Sequence, residues 1–262
     1  MHPRISIDGL SSFTWPLARD LAFARELGAH SITVAYAKLA DDVPGAARAI
    51  AASGLRPVML AGGAATGLMG GLASVQPSID AARAIGCPAF YSVSGPAPRG
   101  ASTDEAFEAL AGALGPVVAH AGEQGIRVGI EHTSAATRSH GFVHSLADAA
   151  ELAQRCGVDI VVELQNVWYE RNLPRLFREH AARFALVQVS DFTVGESLRL
   201  NRRVPGDGDI PLEWLIGHLL EGGYAGLFDV EVLGPHIEAE GYESAIRRSV
   251  DWLSETLVRL GA

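Results

Sequence analysis

Two cysteines, no long apolar run and a shortage of basic residues set the first limits on this chain of 262 residues. Cys87 and Cys156 sit in Gly-Cys-Pro and Cys-Gly-Val, each just ahead of a strand-like segment. That context reads as small packing residues, which argues against a disulfide-stapled scaffold and makes the cytoplasm the expected compartment. No stretch reaches the ~18 uninterrupted apolar residues that a membrane span requires. The opening MHPRISIDG enters a strand-like segment at once, leaving no expected room for a signal peptide. Lys and Arg number 21 against 30 Asp and Glu, a formal charge of −9. Nucleic-acid binding rests on neutralising phosphates, so this balance opposes it, and the compact basic pair Arg202-Arg203 is too small for a groove. Lysine is scarce near the strand ends, which speaks against a phosphorylated substrate. The expected partner is a small molecule, with neither nucleic acid nor membrane; a homo-oligomer is left open.

What the chain does have is alternation. Hydrophobic residues make up 48% of it, in short runs broken by Gly, Pro and charges, as in a packed globular protein. Eight runs read as strands: RISIDG, SITVAY, RPVML, AFYSVS, RVGIEH, DIVVEL, ALVQVS and LFDVEV. Helical patterns fall between them, most clearly at residues 17–27, 44–53, 105–123, 146–155, 212–220 and 242–260. Gly28, Gly54, Gly86 and Gly157 follow helical patterns directly, at the position where a left-handed residue stops a helix. Strict β–α alternation predicts parallel strands with crossover helices, and eight units in this length fit an α/β fold of the (β/α)₈ TIM-barrel kind. With no linker-like segment, residues 1–262 are expected to form a single barrel domain. The longer irregular stretches, 61–76, 95–104, 133–144 and 192–209, each follow a strand. They would roof the barrel face where active sites lie.

Three strands carry a glutamate after aliphatic residues: Glu131, Glu163 and Glu231; a fourth places Gln188 at similar depth. Alternate residues of a barrel strand point inward, so these four should converge at the C-terminal rim. Several buried carboxylates repel one another and stay ionised only beside a cation. Oxygen donors of this kind suit Mg²⁺ or Mn²⁺. The competing expectation is that each Glu pairs with an arginine, for which Arg127 and Arg202 are at hand.

With these motifs in view, the chain resembles the xylose isomerase-like TIM barrels, the superfamily of sugar isomerases and epimerases that includes D-tagatose 3-epimerase and also endonuclease IV. The resemblance is sharpest at GIEHT, VVELQNVW, VQVSD and NRRVPGDGDIPLEW, the last being similar to the Asn-Arg-Lys-Val-Pro-Gly-x-Gly loop of the epimerases. It implies one divalent metal ion, Mn²⁺ or Mg²⁺ favoured over Zn²⁺, on Glu131, Glu163, Gln188 and Glu231. It also implies that Glu131 and Glu231 move the proton on opposite faces of the substrate, and that Arg202 binds a substrate oxygen. Two positions depart from the pattern, with Glu163 where Asp is usual and Gln188 where His is usual. Asn166 stands where the family has a substrate-contacting His.

Other candidates follow strands. Asn166, Trp168, His236 and Trp15 are expected at the substrate; Phe13, Phe142 and Tyr169 are possible further walls of an apolar pocket. His132, next to Glu131, should face the barrel–helix layer, while His140 and His144 lie in the loop beyond. Asp8 should orient a residue across the barrel or cap the following turn. The expected activity is a metal-dependent isomerase or epimerase working beside a carbonyl through an enediolate. A lyase or dehydratase using the same proton abstraction is the runner-up, and a non-catalytic ligand-binding barrel with a drifted site is the third reading. Endonuclease activity is disfavoured by the acidic charge and the missing histidine ligands.

Overall fold

Runs rich in β-branched residues, such as SITVA and DIVVE, favour the pleated backbone, and each is buried along most of its length. The computed structural model describes every residue except Ala40, Ala64, Ala65 and Arg199. Its strands are β1 (Ile5–Asp8), β2 (Ser31–Ala35), β3 (Arg56–Ala61), β4 (Ala89–Val93), β5 (Arg127–Glu131), β6 (Asp159–Glu163), β7 (Phe184–Val189) and β8 (Phe228–Val230). All pair in parallel with their sequence neighbours, and β8 returns to β1, so the sheet closes into a (β/α)₈ barrel.

The helices that carry the chain back are α1 (Leu17–Glu26), α2 (Val43–Ser53), α3 (Gly71–Ala84), α4 (Thr103–Glu123), α5 (Leu146–Cys156), α6 (Leu164–Val167) and α7 (Leu173–His180). After them come α8 (Leu212–Glu221), α9 (Pro235–Glu240) and α10 (Tyr242–Arg259). Helix α4 starts earlier than its periodicity predicts. The Ser102 hydroxyl accepts from Glu105 N at 3.2 Å, and the Glu105 carboxylate accepts from Ser102 N at 2.7 Å, a reciprocal cap. Helix α3 corrects the expectation of an irregular stretch over 61–76. Its glycines and the internal Pro77 read as loop, yet the helix begins at Gly71 and buries Val75, Ile79 and Ala82. Burial of that stripe outweighs the poor propensity. Among the described residues, no helix is long and apolar enough to cross a membrane. Both cysteine thiols are free.

The apolar residues divide into two bodies. The larger fills the layer between strands and helices. The smaller, Met59, Ala61, Ala89, Tyr91, Val161 and Leu186, plugs the barrel interior from the β3–β7 side. On the side of β1, β2 and β8, buried Ser6, Asp8, Ser31, Thr33 and Asp229 occupy the alternating positions instead. Register then sets the depth of the site. Glu163 stands beside Gln188, and Gln188 beside Asp229, across adjacent strands.

Candidate active site

A cavity of about 640 Å³ opens at the C-terminal ends of the strands. Glu131, Glu231, Arg202, Asn166, Tyr91 and His140 line it, together with Phe13 and leucines of the surrounding loops. Its size suits a small-molecule ligand.

Beneath and beside this cavity Glu163 and Glu231 pair with Arg202, and Gln188 stands in register beside Glu163 on the neighbouring strand. An Arg202 guanidinium nitrogen lies 2.7 Å from Glu163 Oε2 and 3.3 Å from Glu231 Oε1, and it donates to the Glu231 backbone carbonyl at 2.6 Å. All three side chains are buried. Glu163 Oε1 also accepts from Gln165 N at 3.0 Å. Gln188 is fully buried and donates from Nε2 to the Tyr91 hydroxyl at 2.9 Å. Tyr91 in turn donates to Asp8 at 3.4 Å, and Asp8 accepts from Leu10 N at 2.7 Å. Asp8 therefore does both things expected of it. Asp229, one layer down, is hydrogen-bonded by Ser6.

The charges do not balance. Among the described residues, five carboxylates, Asp8, Glu131, Glu163, Asp229 and Glu231, meet one guanidinium. Burial raises the Glu131 carboxyl well above its ordinary range, and the charges of Glu231 and Glu163 raise it further. Burial does the same to Glu231, against the pull of Arg202 and with the push of Asp8 and Glu163. Asp8 is raised by burial and by Asp229, and Asp229 is pushed up to about 7, mainly by burial. Those shifts come first from burial, and neighbouring negative charges add to them.

The donor chemistry fits a hard divalent cation. Glu163 Oε2 is held by its ion pair with Arg202, while Gln188 Oε1 and Glu231 Oε2 are buried oxygens without a hydrogen-bond partner. Such atoms are costly in a folded protein and call for an ion or a ligand. Among the described residues, no three His, Cys, Asp or Glu side chains stand close enough together to hold an ion by themselves.

Asp191 holds the loop that delivers Arg202. Its carboxylate accepts from four backbone N–H groups: Phe192 at 2.8 Å, Gly206 at 2.9 Å, Gly208 at 3.0 Å and Ile210 at 3.1 Å. Asp191 and Arg203 also exchange backbone hydrogen bonds of 3.0 and 2.8 Å. From the other side, Arg202 N donates to Leu233 O at 3.0 Å, and Asn201 Oδ1 accepts from His236 N at 2.9 Å. Gly234 makes that approach possible. It has φ +111°, and a Cβ there would lie 1.9 Å from Leu200 O. Gly234→Ala is expected to cost about 1–3 kcal/mol, since it combines an unfavourable φ with a backbone clash. Thermal melting tests this, and an unchanged midpoint would show that the loop gives way freely.

The remaining expectations fare unevenly. Asn166 lines the cavity and donates to His132 O at 3.1 Å. His132 is buried, accepts from Glu163 N at 3.3 Å, and is kept neutral by burial that lowers its pKa to about 3. His144 is bound to Thr133 O at 2.9 Å and stays out of the cavity. Trp15, Trp168 and His236 do not line it either. Trp15 packs edge-on against Phe23 and Tyr242, under the Arg19 guanidinium. Trp168 leans on the outer core beside Tyr169, and the His236 side chain is exposed. Each follows a strand, but the chain turns into a helix there and aims the side chain away. Of the five aromatics named after strands, Phe13 alone lines the cavity. Arg127 pairs with Asp159 at the start of β6, at the opposite end of the barrel from the glutamates. Tyr91 and Asp191 carry the site without having been singled out. The alternation of AFYSV places Tyr91 inward with Ala89, whereas nothing local marks Asp191 as a four-fold acceptor.

A profile of the xylose isomerase-like TIM barrel family matches residues 21–256. No curated protein matches the sequence. Similar solved structures include a protein from Sinorhizobium meliloti, 19% identical with TM-score 0.84, matched over 98% of both chains. An IolI protein with a bound zinc atom is 15% identical with TM-score 0.82, over 98% of this chain and 99% of the other. An L-ribulose 3-epimerase is 19% identical with TM-score 0.79, over 99% of this chain and 96% of that one. The chain belongs to the xylose isomerase-like TIM barrel family.

Proposed function

We propose that this protein is a cytoplasmic enzyme of a single barrel domain that isomerises or epimerises a sugar-like or bulkier hydroxy-ketone with the help of one divalent cation. The observation that carries the reading is the pair of unpartnered buried oxygens, on Gln188 and Glu231, beside a cavity walled by Glu131 and Glu231. Glu131, Glu163, Gln188 and Glu231 would hold the ion, Mn²⁺ or Mg²⁺ in preference to Zn²⁺, because every donor is a hard oxygen. When bound, the ion would polarise the substrate carbonyl and stabilise negative charge on its oxygen.

The protein's own residues supply the proton transfers. Glu131 and Glu231 both line the cavity, so one would act as base while the other, protonated, acts as donor. The base removes the proton from the carbon beside the carbonyl, and the C–H pair becomes the enediolate double bond. The acid returns a proton to carbon from the other face, which restores the carbonyl and inverts the centre. Arg202 keeps a buried, unpartnered Nε that can donate to a substrate oxygen. The same abstraction followed by loss of a β-hydroxyl would make the enzyme a dehydratase. His140, which lines the cavity, would be the group to protonate such a leaving group.

The test is turnover of a panel of hydroxy-ketones in D₂O after dialysis against a chelator. Deuterium should enter the carbon beside the carbonyl only once Mn²⁺ or Mg²⁺ is restored, with product mass otherwise conserved. Unchanged turnover by metal-free protein would sink the metal role, and loss of the mass of water would replace isomerase by dehydratase.

A further inference from the structure

We infer that Tyr91 aims the Gln188 carbonyl into the candidate metal site, and that this positioning is what lets a neutral amide serve among carboxylates. The inference rests on the metal reading proposed above. A glutamine amide has two edges of nearly equal shape, one an acceptor and the other a donor. Nothing in Gln188 itself decides which edge faces the glutamates. Tyr91 decides it, because its hydroxyl has one proton and two neighbours. Asp8 Oδ2 lies at 3.4 Å and takes the proton; Gln188 Nε2 lies at 2.9 Å and meets the lone pairs. The amide must then turn its NH₂ edge toward Tyr91. Its Oε1 is left on the other side, buried and without a partner.

At the far end the Leu10 backbone N–H occupies Asp8 Oδ1 at 2.7 Å, which leaves Oδ2 to accept from Tyr91. Space for the phenol ring comes from Gly129, the β5 neighbour of Tyr91, where a Cβ would lie 3.0 Å from the Tyr91 Cβ. Tyr91 is thus a positioning residue, acting on the ion through Gln188.

Mn²⁺ titration of the full-length protein, followed by calorimetry and by the free-Mn²⁺ spin-resonance signal, tests this without any substrate. Tyr91→Phe removes only the hydroxyl and should weaken Mn²⁺ binding about 10–100-fold, the usual effect of losing a group that orients a ligand. A carboxylate offers oxygen on both edges and needs no such aim. In a Gln188→Glu background, Tyr91→Phe should therefore change the Mn²⁺ affinity by less than about threefold. Equal weakening in both backgrounds would show that Tyr91 merely supports the fold and would overturn the inference. Wild-type affinity in Tyr91→Phe would overturn it too while leaving the metal reading intact. A wild-type protein that binds no Mn²⁺ would overturn both.

Discussion

Replacing Arg202 by methionine is expected to destabilise the metal-free protein by about 3–5 kcal/mol at pH 8, the usual cost of removing one partner from a buried ion pair. Methionine keeps most of the volume, so the loss reports on charge. Among the described residues, Arg202 is the cation in contact with this carboxylate cluster, 2.7 Å from Glu163 and 3.3 Å from Glu231. The effect should depend on pH, with a sign that follows from the shifts. Glu131 and Glu231 are raised above the unfolded carboxylate value, so the folded state holds protons that the unfolded state has released. Their contribution is complete below the unfolded pKa and is lost as pH rises through the folded one. Arg202 pulls both values down. Without it they rise further, and stability falls more steeply toward alkaline pH. Urea melts of both proteins in chelator, at pH 5 and pH 8, should show the larger difference at pH 8. A difference independent of pH would mean that Arg202 contributes packing alone.

The second large effect concerns the proton carriers. Glu131→Gln and Glu231→Gln should each lower kcat/KM for carbon-bound deuterium exchange by about 10²–10⁴-fold, the range for losing a general acid or base. Because both residues are also proposed ligands, the measurement belongs at saturating Mn²⁺, with occupancy checked by metal analysis. The two variants should differ in character. Each retains one carboxyl group, so each can still exchange the proton on one face while failing to invert the centre. Exchange without epimerisation in both variants is the expected pattern. Full epimerisation in either would remove that residue from the proton path.

The barrel was legible because its signals are local and repeated. Strand runs alternate with helical stripes, and glycines such as Gly54 and Gly157 end helices in the left-handed conformation, as expected. Glu131, Glu163, Gln188 and Glu231 were legible for a related reason: a polar residue closing an apolar strand has an inward address in a closed barrel. What was hidden depends on contacts between distant segments. The Tyr91–Asp8 link joins residues 83 apart in sequence, and Gln188–Tyr91 joins residues 97 apart. Helix α3 was hidden because Pro77 and its neighbouring glycines obscure a stripe that only packing makes decisive. Trp15, Trp168 and His236 show the opposite error. Position after a strand fixes the end of the barrel, but the first turn of the following segment fixes the direction of the side chain.

The division of the barrel interior has an electrical consequence. On the β3–β7 side the filling is apolar, and on the side of β1, β2 and β8 it holds Asp8 and Asp229. The cylinder is therefore uneven across its width, its ionisable wall lying along the seam where β8 meets β1 and turning negative as Asp8 and Asp229 give up their protons. A field of this kind acts on a dipole before any contact is made. On the function proposed above, a hydroxy-ketone entering the mouth would be turned with the positive end of its dipole toward that seam, and the barrel wall itself would take part in choosing which face meets which glutamate.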